Sequence, residues 1–180
     1  MVNSQEIIVP MEEKVWAPET RIKAFSIFSE AFEPTLHTIY YPGSKIDISP
    51  SKTTSFQGNR IIYVDRDKSV IQNLQRKGYD ARLGNAMFFD PGEVNLLLLF
   101  SLYANKPLKH VVQNGYVICN QHGKEKAFTK ILKKNDFEFV GALIDANGAI
   151  RLDTENLDNY SEKPNYNRGK AENLFVFRKK

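Results

Sequence analysis

The side chains best able to do chemistry in this chain fall at a few separated points. Asp65 ends an otherwise apolar run, Ile61-Ile62-Tyr63-Val64. A carboxylate so placed can accept hydrogen bonds from the two vicinal hydroxyls of a ribose, and nucleoside-binding α/β folds set such an acid about twenty residues after a glycine turn. Gly43 lies 22 positions before it, between Pro42 and Ser44. A glycine there lets a ligand approach the backbone closely, and Ser44 offers a hydroxyl and an amide. Each feature also has a plain reading. Gly43 is equally suited to an ordinary strand-to-helix turn. An acid near residue 65 can cap the next helix, although Asp67 and Ser69 stand closer to that helix and suit capping better. The three glycines of a dinucleotide fingerprint and a Gly-Lys-Ser/Thr triplet are both missing, which argues against a phosphate cradle.

Acid–base candidates are fewer. Ser101, Tyr103 and His122 follow apolar runs, so they belong at strand ends where substrates bind. His122 is the only one of the three histidines so placed, since His37 opens a strand and His110 falls in an expected helix. Its near-neutral pKa suits proton transfer, and its alternative is an ordinary loop histidine. Cys119 sits inside an apolar run and reads as an inert core thiol. No His and carboxylate recur at metal-ligand spacing, so no metal is expected.

These residues need elements to hold them. The spacing of Trp16, Ile22, Phe25, Phe28 and Phe32 predicts a helix over 11–33, with Pro18 in its first turn and Pro34 stopping it. Leu36 to Tyr41 reads as a strand ending at Pro42-Gly43-Ser44. The polar stretch 45–56 holds a short helix opened by Ser49-Pro50. A second strand ends at Asp65, and a helix over 68–77 follows, with Gly78 as the residue after its end. Residues 79–83 form a short strand, leading to Gly84-Asn85-Ala86. The run Val94 to Phe100 is a fully buried strand, because it lacks the alternation of a half-exposed one. A helix is expected over 107–114, closed by Gly115, then a buried strand over 116–120. A basic amphipathic helix over 124–135 buries Ala127, Phe128, Ile131 and Leu132. Residues 137–144 and 174–178 are strands with no helix between them, joined by a polar excursion over 145–173.

Strands alternating with helices imply a doubly wound, mostly parallel sheet, here with a C-terminal antiparallel strand pair. The 180 residues fit one domain over 1–180, in which 36–144 form the parallel core. A single cysteine excludes an internal disulfide. The longest uninterrupted apolar run is too short to span a bilayer, and the N-terminus lacks the pattern of a signal peptide, so a soluble cytoplasmic protein with no membrane partner is expected. The net charge of +4 is uneven. Residues 163–180 carry six basic side chains against Glu172, and the rest of the chain carries 19 basic and 20 acidic ones. That tail, with the lysines of 124–134, would suit a nucleic acid, and would equally suit a plain solvated surface.

The element order, with two final strands unseparated by a helix, resembles the class I (Rossmann-like) S-adenosylmethionine-dependent methyltransferase superfamily from about Leu36 onward. The family's sheet has seven strands. Ile39-Tyr40-Tyr41-Pro42-Gly43-Ser44-Lys45 is similar to its glycine-rich first motif, in divergent form: Tyr41-Pro42 precedes Gly43, and Lys45 stands where a second glycine is common. Asp65 matches the acid that binds the ribose, and Arg66 falls where an apolar residue usually meets the adenine. Gly84-Asn85-Ala86 is similar to the family's Gly-Asp-Ala, with an amide in place of the acid. Asn95 replaces a frequent acid at the start of the fourth strand. Phe100-Ser101-Leu102-Tyr103 lacks the signature of enzymes that methylate exocyclic amines of bases. The resemblance implies a methyltransferase of unassigned acceptor. S-adenosyl-L-methionine would be held by Tyr41, Gly43, Ser44, Asp65, Arg66, Asn85, Ala86 and Phe100, with Ser101, Tyr103 and His122 near the acceptor. A binding or regulatory protein that has lost catalysis on the same fold is the alternative.

Overall fold

A computed structural model describes residues 18–43, 49–100, 105–120, 125–146, 149–157 and 173–180. Helix α1 (Pro18–Phe32) opens with its proline in the first turn, where the missing N–H costs nothing. It closes on Glu33, at φ 42°, whose N–H donates to Ser29 O at 3.0 Å, and Pro34 prevents continuation. Strand β1 (Thr38–Pro42) follows, then α2 (Ser49–Lys52) and a 3-10 turn (Thr54–Phe56). Strand β2 (Arg60–Asp65) leads to α3 (Lys68–Arg76), which ends before Gly78 at φ 80°. After β3 (Asp80–Leu83) and β4 (Val94–Leu99) come a second 3-10 turn (Lys106–His110) and β5 (Val111–Asn120). The chain finishes with α4 (Glu125–Lys134), β6 (Phe137–Ala146), β7 (Ala149–Asp153) and β8 (Leu174–Lys179).

The strands form one sheet in the order β3-β2-β1-β4-β5-β8-β6-β7. β1 to β5 run parallel, and β8 is antiparallel to both β5 and β6. The mostly parallel, doubly wound architecture with its final antiparallel pair is therefore the one expected. β4 explains its own apolar sequence: Leu96 and Leu98 join the core on the α1 and α3 side, while Leu97 and Leu99 join the core on the α4 side. Among the described residues, no helix is long and apolar enough to cross a membrane.

Three expectations need correction. The helix over 107–114 is a 3-10 turn of five residues that gives way to β5 at Val111. The β-branched pair Val111-Val112 favours the strand, and Val111 pairs with Val94. Gly115 thus lies inside a strand and closes no helix. Between the pairs Val94–Val111 and Leu96–Tyr116, β4 has one residue, Asn95, and β5 has four, so the strand bulges there. Second, the excursion over 145–173 contains β7, paired antiparallel to β6 from Ala142–Asp153 to Ala146–Ala149. The sheet has eight strands, not seven, and α1 rests partly on the added one: a Cβ at Gly141 of β6 would stand 2.9 Å from Leu152 Cδ1 and 3.2 Å from Phe32 Cζ. Third, the end of the basic tail is not simply solvated. Lys179 Nζ donates to Val111 O at 2.7 Å, and Arg178 donates to Asn114 Oδ1 at 2.8 Å.

Two substitutions test this packing. A Cβ on Gly115 would lie 2.9 Å from Val112 O and 3.1 Å from Asn95 O, both backbone atoms that cannot swing aside. Gly115→Ala is expected to lower stability by about 1–3 kcal/mol in urea unfolding; an unchanged midpoint would mean that the bulge is wider than described. The Tyr40 hydroxyl is buried with no hydrogen-bond partner among the described residues, and burial pushes its pKa up. Removing an orphaned buried hydroxyl spares its desolvation cost, so Tyr40→Phe should stabilise by about 1 kcal/mol. A loss of stability would reveal a partner for that hydroxyl.

Candidate functional site

In an open α/β sheet, ligands bind beyond the carboxyl ends of the strands where the strand order reverses. Here that point is β1, which lies between β2 on one side and β4 on the other. Pro42 pairs with Val64, and the Gly43 N–H donates to Val64 O at 2.8 Å. Gly43 has φ 67°, in the left-handed region that favours glycine. The chain therefore turns away from the sheet directly beside Asp65. On the other side of β2, Leu83 pairs with Asp65, and the Gly84 N–H donates to Asp65 O at 2.9 Å. Three expected residues, Gly43, Asp65 and Asn85, thus come to the ends of three adjacent strands.

The acid is held rather than loose. Asp65 Oδ1 accepts from the Asp67 N–H at 2.8 Å. Capping belongs to Asp67, whose Oδ1 accepts from the Ser69 N–H at 2.8 Å, the Ser69 hydroxyl at 2.6 Å and the Val70 N–H at 3.4 Å. The two acids have separate roles, and Asp65 does not cap the helix. An ionised carboxylate only accepts hydrogen bonds, so hydroxyl groups are among the donors that suit Asp65. Asn85 Oδ1 accepts from the Met87 N–H at 3.0 Å, which closes a tight turn and fixes the amide. Arg66 is exposed beside Asp65, and Ala86 is half-buried after Asn85.

Tyr41 and Phe100 occupy the ends of β1 and β4, but their rings are buried in the core beneath the site. They meet edge to face with centroids 5.6 Å apart, and Phe25 of α1 stacks on Phe100 at 5.9 Å. Both rings are thus taken up by packing between α1 and the sheet. Ser44, Ser101, Tyr103 and His122 lie outside the described residues. Cys119 is buried, and desolvation pushes its thiol pKa up, which keeps it protonated and unreactive. Among the described residues no three His, Cys, Asp or Glu side chains gather closely enough to hold a metal ion.

Two features at the site's margin escape a reading by motif. Arg21 is 2% exposed, with its guanidinium carbon 4.5 Å from the centre of the Phe100 ring. Its signal was helical phase, since Arg21 stands one turn before Phe25 on the inward face of α1. Phe88 is 75% exposed in the turn after Asn85, with Lys106 Nζ 4.1 Å above its ring. The adjacent Phe89 packs against Tyr40, and nothing in the pair Phe88-Phe89 says which ring turns outward.

No protein-family model matches the sequence, and no curated protein is similar to it. Solved structures are similar in fold. A S-adenosylmethionine-dependent methyltransferase from Clostridium acetobutylicum superposes with a TM-score of 0.62 at 7% identity, covering 94% of each chain. The N-methyltransferase NodS from Bradyrhizobium japonicum, in complex with S-adenosyl-L-homocysteine, gives 0.59 at 10% identity, covering 88% of this chain and 86% of that one. Magnesium protoporphyrin IX methyltransferase from Synechocystis, with bound S-adenosylmethionine, gives 0.55 at 10% identity, covering 90% and 78%. The fold of this chain is the Rossmann-like fold of the class I methyltransferases.

Proposed function

We propose that this chain is an S-adenosylmethionine-dependent methyltransferase whose acceptor is not assigned. The observation that carries the reading is Asp65, a fixed carboxylate at the end of β2, with Gly43 and Asn85 at the adjoining strand ends. This donor set suits an adenosyl group. Asp65 accepts hydrogen bonds from the ribose hydroxyls. Gly43, whose own N–H is committed to Val64 O, lets the rest of the ligand approach the backbone closely, and Ser44 offers a hydroxyl and an amide. Asn85 meets the adenine edge through its amide, between Arg66 on one side and Ala86 on the other. Two of the similar structures hold S-adenosyl ligands, which supports the same ligand class here.

The bound cofactor would supply an electrophilic methyl group. Transfer needs an in-line approach of the acceptor, so the protein's main task is positioning. The acceptor space lies beyond the ends of β4 and β5, where Ser101, Tyr103 and His122 follow in the sequence. A proton acceptor is required only if the nucleophile must lose a proton during attack, and His122 has the chemistry for that.

Cofactor binding is the decisive measurement. S-adenosylhomocysteine at about a hundredfold above its dissociation constant adds about 2.7 kcal/mol of stability, which for a chain of this size raises the melting temperature by roughly 5–10 °C. Asp65→Ala should weaken binding by about 1.5–3 kcal/mol through loss of charge-assisted hydrogen bonds. No melting shift with either S-adenosyl ligand at about millimolar concentration would overturn the reading, given that affinities weaker than this are of little use to an enzyme. Binding with full affinity in Asp65→Ala would move the ribose elsewhere.

A further inference from the structure

The opposite edge of the sheet, where the parallel strands begin, holds a cavity of about 360 Å³ between the α1–β1 connection and the bulge of β5. Its aromatic wall is formed by Phe32 and Tyr116, with rings 5.7 Å apart and inclined at 50°. Asn95, the single β4 residue opposite the bulge, also lines it. Asn95 Oδ1 accepts from the N–H groups of His37 at 3.1 Å and Thr38 at 3.0 Å. Its oxygen is therefore committed to the backbone of β1, and its NH2 remains as a donor among the lining groups.

Arg178 stands at the same cavity, steadied by its 2.8 Å hydrogen bond to Asn114 Oδ1. Among the described residues no carboxylate pairs with this guanidinium, which leaves its other N–H groups for a ligand. A guanidinium fork matches the two oxygens of a carboxylate. Glu33, also in the lining, repels any anion, and repels a phosphate dianion about twice as strongly as a monocarboxylate. The volume lies at the small end of ligand sites and suits a body of about one ring.

We infer that this cavity is a second small-molecule site, distinct from the strand-end site, which takes a flat monocarboxylate with its carboxylate on Arg178 and Asn95 and its ring against Phe32 and Tyr116. The bulge that makes the cavity also supplies Asn114 to orient the guanidinium. The site owes nothing to Gly43, Asp65 or Asn85, so it stands or falls independently of methyl transfer.

The test is a titration of the full chain with benzoate and with its neutral counterpart benzamide, followed in amide proton–nitrogen NMR spectra. Benzoate should shift the amides of Glu33, 35–38, 112–116 and Arg178, and benzamide should bind about tenfold more weakly because it loses the charge-assisted pair. Arg178→Gln should abolish that preference. Arg178→Lys, which keeps the charge without the fork, should fall between the two. The spectra themselves report whether each variant is folded. Absence of shifts at about 10 mM benzoate, a concentration that fills any site of useful affinity, would overturn the inference. So would equal binding of the two probes, an unchanged preference in Arg178→Gln, or shifts confined to Gly43, Asp65 and Asn85.

Discussion

The central constraint on this molecule is that β1 has no face toward water. Tyr40 enters the core on the α4 side, while Ile39 and Tyr41 enter the core on the α1 side. β2 and β4 satisfy its two edges. A strand enclosed on four sides can be reached only at its ends, so function has to be placed there. At the carboxyl end Gly43 turns the chain out beside Asp65. At the other end Asn95 binds the N–H groups of His37 and Thr38, which the sheet leaves without strand partners. The same burial that makes the centre inert concentrates polar chemistry at two opposite rims.

Covering both faces of such a sheet takes apolar mass, and this chain supplies it with aromatic rings more than with helices. Phe25 of α1 stacks on Phe56 of the β1–β2 connection at 5.3 Å and on Phe100 at 5.9 Å. Phe100 meets Tyr41, and Tyr41 meets Tyr63 at 5.9 Å. The Tyr63 hydroxyl is in turn hydrogen-bonded to that of Ser51 in α2. These contacts join the N-terminal helix, the loop after β1 and the ends of β2 and β4 into one rigid base. Ring pairs of this kind add about 0.5–1.5 kcal/mol each beyond the area they bury. On the other face the β3–β4 connection has no helix, and Phe89 lies against Tyr40 in its place. A phenyl ring brings no acceptor oxygen, and the Tyr40 hydroxyl has no hydrogen-bond partner among the described residues.

Most of this architecture was legible in the sequence because it follows from patterns with a period. The unbroken apolar run at β4, the helical spacing of α1 and α3 and the order of elements all translate directly into burial. What escaped depends on pairing across long separations. Val111 and Val112 carry strand propensity, but Lys106 to His110 before them has no period that separates a 3-10 turn from an α-helix. β7 is five residues with alternating partial burial at the sheet edge, and its sequence within a polar stretch lacks the apolar density that marks an inner strand. The candidate site divides in the same way. Asp65 was visible as a polar break in an apolar run, whereas the inward course of the Tyr41 and Phe100 rings follows from which face of the sheet α1 covers.

The geometry around Asp65 shows what holds the acid at the end of β2. The carboxylate is positioned by the Asp67 N–H, and Asp67 is fixed as the N-cap of α3 by three hydrogen bonds of its own. Helix α3 is anchored in turn by buried Ile71 and Leu74. This chain of support runs through β2 and α3. Gly43 is held by its hydrogen bond to Val64 O, and Asp65 is steadied by the start of the helix that follows it. The position of the acid therefore depends on the N-terminal cap of α3, so a change at Asp67 or Ser69 would reach Asp65 through the turn that joins them.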